Sequence, residues 1–228
     1  MALTRRSALA GFGCAVAGAA LARPSIARAA TPFTRPPLPF AEDALEPHLS
    51  ARTVALHANV FHQGYVDRLN LLVEGTAYAD MSLEEVIRAA GDAGDLAVYE
   101  MAAEHYNHTF YFAQFAGGPS PPGPVLEEAI NREFGGLDGF AHELVIASSG
   151  VFGTGWVWLS AEGEGLYLEG WPDADSPHAI GRQLLMGIDL WEHAYIFDYD
   201  ARVEDYVRAV ASQLVNWAAI EQRYIDGE

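Results

Sequence analysis

Eight residues, GGPSPPGP from Gly117 to Pro124, constrain this chain more than any other stretch. Proline lacks the N–H that a helix or a ladder needs, and glycine loses the most conformational freedom on ordering. The run can therefore be neither a helix nor a central strand. Before it, apolar residues recur at helical spacing. From Ser50, ARTVALHANVFHQGYVDRLNLL predicts one long helix with Ser50 as its N-cap. Val54, Phe61, Tyr65 and Leu72 fall close to one face, with His57 at its edge. Met81 to Ala90 predicts a short helix capped by Ser82, with Glu84 and Glu85 in its first turn. A further helix runs from Asp95 to Phe115.

After the linker the pattern changes. Two short helices, Val125 to Glu133 and Leu137 to Ser148, precede VFGTGWVWLSAEGEGLYLEGWP. There Trp156 and Trp158 alternate along one segment and Leu166 and Leu168 along the next, which predicts two antiparallel strands around a glycine turn. Leu184 to Asp189 reads as a third strand and Val203 to Tyr224 as a final amphipathic helix.

The first thirty residues are of another kind. Arg5 and Arg6 precede an Ala/Gly-rich apolar run that ends in Ala27-Arg28-Ala29, a small-x-small cleavage pattern. The run is too short and too rich in glycine to span a bilayer comfortably, so it reads as an export signal of the twin-arginine type. The expected destination is periplasmic or extracellular. Thr31 to Phe40 is then a proline-rich tether. Four of the 13 basic residues lie in the signal and none of the 31 acids does, leaving nine arginines, no lysine and a charge of −22. Such a surface argues against nucleic acid and anionic membranes as partners. The single cysteine, Cys14, is in the same segment, so any metal must be held by histidine and carboxylate.

Candidates for that task exist. His57 sits on the first long helix with Tyr65 eight residues on, and His108 on the later one among Tyr106, Phe110, Tyr111 and Phe112. Asp189 and His193 stand at the end of the third strand, inside the aromatic run IDLWEHAYIFDY. A carboxylate and an imidazole among large apolar groups are costly unless neutralised. Three imidazoles and one carboxylate from three elements would make a site for a divalent or trivalent ion. Each histidine taken alone reads more readily as a satisfied core residue than as a ligand.

Together these stretches resemble the iron/manganese superoxide dismutases, in order and over nearly the whole chain after the signal. LPFAEDALEPHLS is similar to that family's opening segment, LHANVFHQGYVDRLN to its first helix and NHTFYF to its second ligand motif. FGTGWVWL resembles its glycine-tryptophan strand and DLWEHAY its signature. The resemblance implies an α+β fold: an N-terminal α-helical hairpin domain at 31–116, the linker at 117–124, and a C-terminal α/β domain at 125–228 with a small three-stranded antiparallel sheet. It implies His57, His108, Asp189 and His193 as ligands of one iron or manganese ion per chain. It places Tyr65 at the mouth of the substrate funnel and Trp156, Trp158 and Trp191 in the aromatic wall. Glu192 would reach the ligand histidine of a partner subunit, with Tyr195 beside it. The implied activity is dismutation of superoxide by a homodimer or homotetramer, with no stable membrane association once the signal is removed.

The chain departs from the family's pattern in three respects. The glutamine that iron-type members hold four residues before the second ligand is Glu104, and the manganese-type glutamine position is Ala174. A histidine that commonly follows the first ligand by four residues is Phe61. The basic residues usual after the signature are Asp200 and Val203, with Arg202 as a substitute if the alignment slips by one. Glu104 sits at the iron-type position, while Gly187 and His105 look more like manganese members, so the metal is left open between the two. His48 is expected to serve the start of the first helix, and His62, His105, His142 and His178 to be structural or surface residues. Two other readings remain: an exported metal-binding homologue with little turnover, and a two-histidine, one-carboxylate oxygenase, against which the extra histidine argues.

Overall fold

The computed structural model describes residues 33–227; the segment expected to be an export signal lies outside them. The chain enters as a strap along its first helix. Phe33 is buried, and its backbone N–H and C=O both pair with the Asn70 side chain at 3.1 and 2.9 Å. Helix α1 spans Ala51–Leu56, a π-helical turn follows at His57–His62, and α2 continues over Gln63–Val73. The single long helix expected here thus carries a wider turn that begins at His57. Phe61 consequently leaves the buried face and is 37% exposed. Ser50 caps α1 by accepting from Thr53 N, as expected. His48 does not serve the helix start: Ser50 N donates to Asp198 Oδ2 and Ala51 N to Glu46 Oε1.

Helix α3, Leu83–Ala93, begins with a capping box between Ser82 and Glu85. Helix α4, Leu96–Ala113, runs beside α2 and α3. Val66, Leu69, Val86, Ala90 and Ala102 form the core of this helical part. After the linker come α5, Pro124–Phe134, and α6, Leu137–Ser149. The sheet follows, with β1 at Gly155–Glu162, β2 at Gly165–Pro172 and β3 at Gln183–Asp189. Its order is β2-β1-β3, every pair antiparallel, with Trp156 opposite Trp171 on one side and Asp189 on the other. Helix α7 is the short Ile196–Tyr199.

The final amphipathic helix is not continuous. It divides into α8, Val203–Ala209, a π-helical turn at Val210–Leu214, and α9, Trp217–Asp226. The linker is the reason. Its backbone polar groups, and those just before it, need partners, and the break supplies them: Ser120 N donates to Val215 O, Asn216 Nδ2 to Ala116 O and Asn216 N to Gln114 O, while Ser120 Oγ donates to Asn216 Oδ1.

The larger core joins the sheet to α5, α6 and α8, and also takes Leu45, Leu49, Val54, Tyr111, Phe112 and Phe115 from before the linker. One face of α4 is therefore buried against β3, and α1 packs against the short turn at Glu192–Ala194 that follows it. That contact brings the ligand candidates of the two halves together. Gln114 fastens it by clamping Gly187 of β3, its Nε2 donating to Gly187 O at 2.8 Å and its Oε1 accepting from Gly187 N at 3.2 Å. Gly187 has no room for a side chain, because a Cβ there would meet the Trp158 ring at 2.3 Å.

Candidate metal centre

Four side chains converge where the two halves meet. His57 opens the π turn, His108 lies on α4, Asp189 ends β3, and His193 follows in a short 3-10 turn at Glu192–Ala194. One ligand atom from each lies within 4.8 Å of the others, and all four residues are buried. Asp189 Oδ2 is 3.1 Å from His57 Nε2, 3.2 Å from His193 Nε2 and 3.6 Å from His108 Nε2.

Each ligand is aimed by its surroundings. Asp189 Oδ1 accepts from Trp191 N at 2.7 Å, which leaves Oδ2 turned inward. His108 Nδ1 donates to Glu104 O at 2.8 Å, which fixes that tautomer and presents Nε2 to the centre. His57 Nε2 and Asp189 Oδ2 are buried without a hydrogen-bond partner. Two buried polar atoms left so are costly, and a cation between them removes the cost. The electrostatics agree. Burial, opposed by Asp189, pushes His57 down to about 3 and His108 down to about 4, so both imidazoles are neutral ligands. Burial alone would raise the Asp189 carboxyl, but His193 and His57 outweigh it and hold it below the usual range. The donors are nitrogen and oxygen only, the set that suits iron or manganese. The residues present fit one such ion.

The surrounding wall is aromatic. The Trp156 ring meets His108 edge-on at 5.2 Å and stacks on Trp158 at 5.3 Å. Trp158 packs against Phe110 rather than a ligand ring. Trp191 is 6.1 Å from His193. Tyr111 and Phe112, expected near His108 but not assigned to the wall, complete it at 5.1 and 4.9 Å from His57. Their signal was present in NHTFYF, since residues three and four after His108 share its helix face. The Tyr111 hydroxyl is 3.2 Å from that of Tyr206.

Tyr65 stands half-buried with its ring 5.1 Å from His108. Burial, then Glu104 and Asp189, hold its phenol protonated far above the ordinary range. Glu104 does not point to water: it is 2% exposed, with a carboxylate oxygen 3.3 Å from His108 Nδ1. Burial and Asp189 raise its carboxyl well above the usual value, with His193 and the Trp156 indole opposing. Ala174 is buried but uses its carbonyl, which accepts from Asn107 at 2.9 Å. Phe61 stacks on His193 with centroids 4.2 Å apart and planes 13° apart. Glu192 is exposed, Tyr195 is buried beside Tyr206, and Arg202 pairs with Asp205 at 3.1 Å. His62 and His105 are not surface residues: both are buried and hydrogen-bonded to each other at 2.8 Å.

Comparison with known proteins adds an independent line. The α-hairpin domain of the iron/manganese superoxide dismutases matches residues 32–116, and the C-terminal domain of the same family matches residues 122–223. An iron superoxide dismutase of Bacteroides fragilis is 39% identical over 194 residues, covering 84% of this chain and 98% of the relative. One from Leptolyngbya boryana is 40% identical over 193 residues, covering 83% and 97%. A manganese superoxide dismutase of Pseudomonas putida is 36% identical over 201 residues, covering 86% and 98%.

Proposed function

Because this chain belongs to the iron/manganese superoxide dismutase family, we propose that it converts superoxide to dioxygen and hydrogen peroxide, with His57, His108, Asp189 and His193 holding the ion. The observation that carries this reading is the buried three-histidine, one-aspartate cluster drawn from both halves of the chain. The bound iron or manganese supplies the one-electron couple that alternately oxidises and reduces superoxide. The chain supplies the rest. Neutral His57 and His108 and ionised Asp189 are in the protonation states that ligate a di- or trivalent ion. Trp156, Tyr111 and Phe112 exclude water and hold the ligand rings in place. Reduction of superoxide to peroxide consumes two protons, and two groups beside His108 hold protons: the Tyr65 hydroxyl and the Glu104 carboxyl. Glu104 occupies the position of the iron-type glutamine and serves as its substitute.

The proposed route is export by the twin-arginine pathway, on the strength of Arg5, Arg6 and the Ala27-Arg28-Ala29 pattern. That route carries folded proteins, so the metal would be loaded before export. A homodimer, or a tetramer of two, is the proposed assembly: Glu192 is exposed one residue before the buried His193, as a group reaching toward a partner must be. No described helix is long and apolar enough to cross a membrane, and no stable membrane association is proposed.

Metal content and superoxide dismutation measured on one sample of mature protein test this reading. One iron or manganese per chain with substantial turnover is the expected result. Full metal with negligible turnover would favour the second reading, a metal-binding homologue, which the carboxylate at Glu104 motivates. Absence of metal would overturn the ligand set.

A further inference from the structure

A file of three tyrosines leads from the ligand His57 toward solvent. Tyr111 is 1% exposed, with its ring 5.1 Å from that of His57. Its hydroxyl is 3.2 Å from that of Tyr206, which is fully buried on α8. The Tyr206 ring meets that of Tyr199, the last residue of α7, edge-on at 5.7 Å. Tyr199 is only half-buried, and the Arg202 guanidinium stands 5.7 Å from its ring.

Packing does not require these hydroxyls. Two phenylalanines would fill the space of Tyr111 and Tyr206 without burying polar groups, and replacing a bonded pair by apolar groups of like shape is close to neutral. What the hydroxyls add is redox chemistry. Phenols and indoles are, with sulfur, the side chains that give up an electron most readily, and the described residues hold no cysteine. A phenol that loses an electron becomes a strong acid, and a neighbouring hydroxyl oxygen can accept its proton. A second aromatic file, Trp156 stacked on Trp158, is wholly buried and ends at Phe110, a ring far harder to oxidise.

We propose that Tyr111, Tyr206 and Tyr199 form a path that carries oxidising equivalents from the metal centre to the surface. The oxidant is hydrogen peroxide, the product of the proposed dismutation, so the inference rests on that reading. Peroxide takes up two electrons and two protons, its O–O bond breaks, and it leaves as two waters. One electron comes from the reduced ion and the other from Tyr111. Tyr111 is refilled from Tyr206, with the proton shifting across their hydrogen bond, and Tyr206 is refilled from Tyr199. Tyr199 ends as the phenoxyl radical and releases its proton to water. Oxidative damage is thereby moved away from His57 and Trp156.

The test mixes protein loaded with ferrous iron with hydrogen peroxide in the absence of superoxide, so its readout does not depend on dismutation. Freeze-quenched electron paramagnetic resonance should show a tyrosyl radical. A nitroso spin trap, read by peptide mass spectrometry, should place its adduct on Tyr199. Tyr206→Phe should lose most of that adduct and gain oxidised Trp156 and His57. Tyr199→Phe leaves the core intact and should gain the same oxidised residues. Zinc-loaded protein, whose ion has no electron to give, should show no radical. A radical there, an adduct on Trp191 or Tyr65 in place of Tyr199, or equal Trp156 oxidation in the parent and both variants would overturn the path while leaving the ligand set standing. Failure to hold iron would overturn the ligand set, and the path with it.

Discussion

The Glu104 carboxylate lies 3.3 Å from Nδ1 of His108, the same nitrogen that donates to the Glu104 carbonyl at 2.8 Å. The nitrogen has one proton and the carbonyl takes it, so both carboxylate oxygens remain buried without a partner. A group placed so holds a proton rather than a charge, as its raised carboxyl value requires. The unfolded chain loses that proton above the ordinary carboxylate range while the fold keeps it. Glu104 therefore costs stability as the pH rises. Glu104→Gln is nearly isosteric and removes the cost. Urea unfolding of the metal-free protein should show the variant more stable by about 1–3 kcal/mol at pH 8, with the gain shrinking at pH 5. An equal gain at both values would mean that the carboxylate is not the source.

Much of this centre was legible in the residues. The four ligands, the tryptophans of β1 and the helix caps at Ser50 and Ser82 follow from motif and pattern, because each depends on neighbours close in sequence. What the sequence hid depends on contacts far along the chain. The π turn at His57–His62 leaves no periodicity of its own, and it turned Phe61 from a core position to a cover over His193. The break before Trp217 lets Asn216 bond Ala116 O, where the linker begins, 100 residues away. The His62–His105 pair joins residues 43 apart, and neither alone distinguishes a surface imidazole from a buried one.

Phe61 covers the more exposed side of the centre, stacked on His193 while itself 37% exposed. Phe61→Ala removes an aromatic pair worth about 0.5–1.5 kcal/mol and opens a path to the ion. The metal-loaded variant should bind azide more tightly than the parent in an optical titration, and its thermal midpoint should fall by a few degrees. Unchanged azide affinity would show that the ring shields His193 without guarding access.

Acid should unfold the metal-free protein early. His57 is held down to about 3, His105 and His108 down to about 4, and His62 lower still, by burial in each case. The unfolded chain takes up these protons near the ordinary imidazole value of about 6.5, where the fold refuses them. Stability is thus fully present above that value and falls as the pH drops toward 4. Glu104 acts in the opposite direction, but one group opposes four. Circular dichroism melts from pH 8 to pH 4 should show a steadily falling midpoint, and a flat profile would mean that the four rings are not buried neutral without metal.

The substrate of the proposed reaction is an anion, and the chain from residue 31 onward carries 9 arginines against 31 acids. Long-range repulsion should slow encounter, and salt should relieve it, since the screening length falls to about 10 Å at 0.1 M. Arg202 is the first cation after the signature, 59% exposed and paired with Asp205, so its own pull is partly spent. The second-order rate constant, measured by pulse radiolysis, should therefore rise between low and moderate ionic strength. Arg202→Gln should lower it further at low salt and converge on the parent at high salt. A parent rate that falls with added salt would mean that local cations at the mouth outweigh the global charge, and Arg202 would be the first to examine.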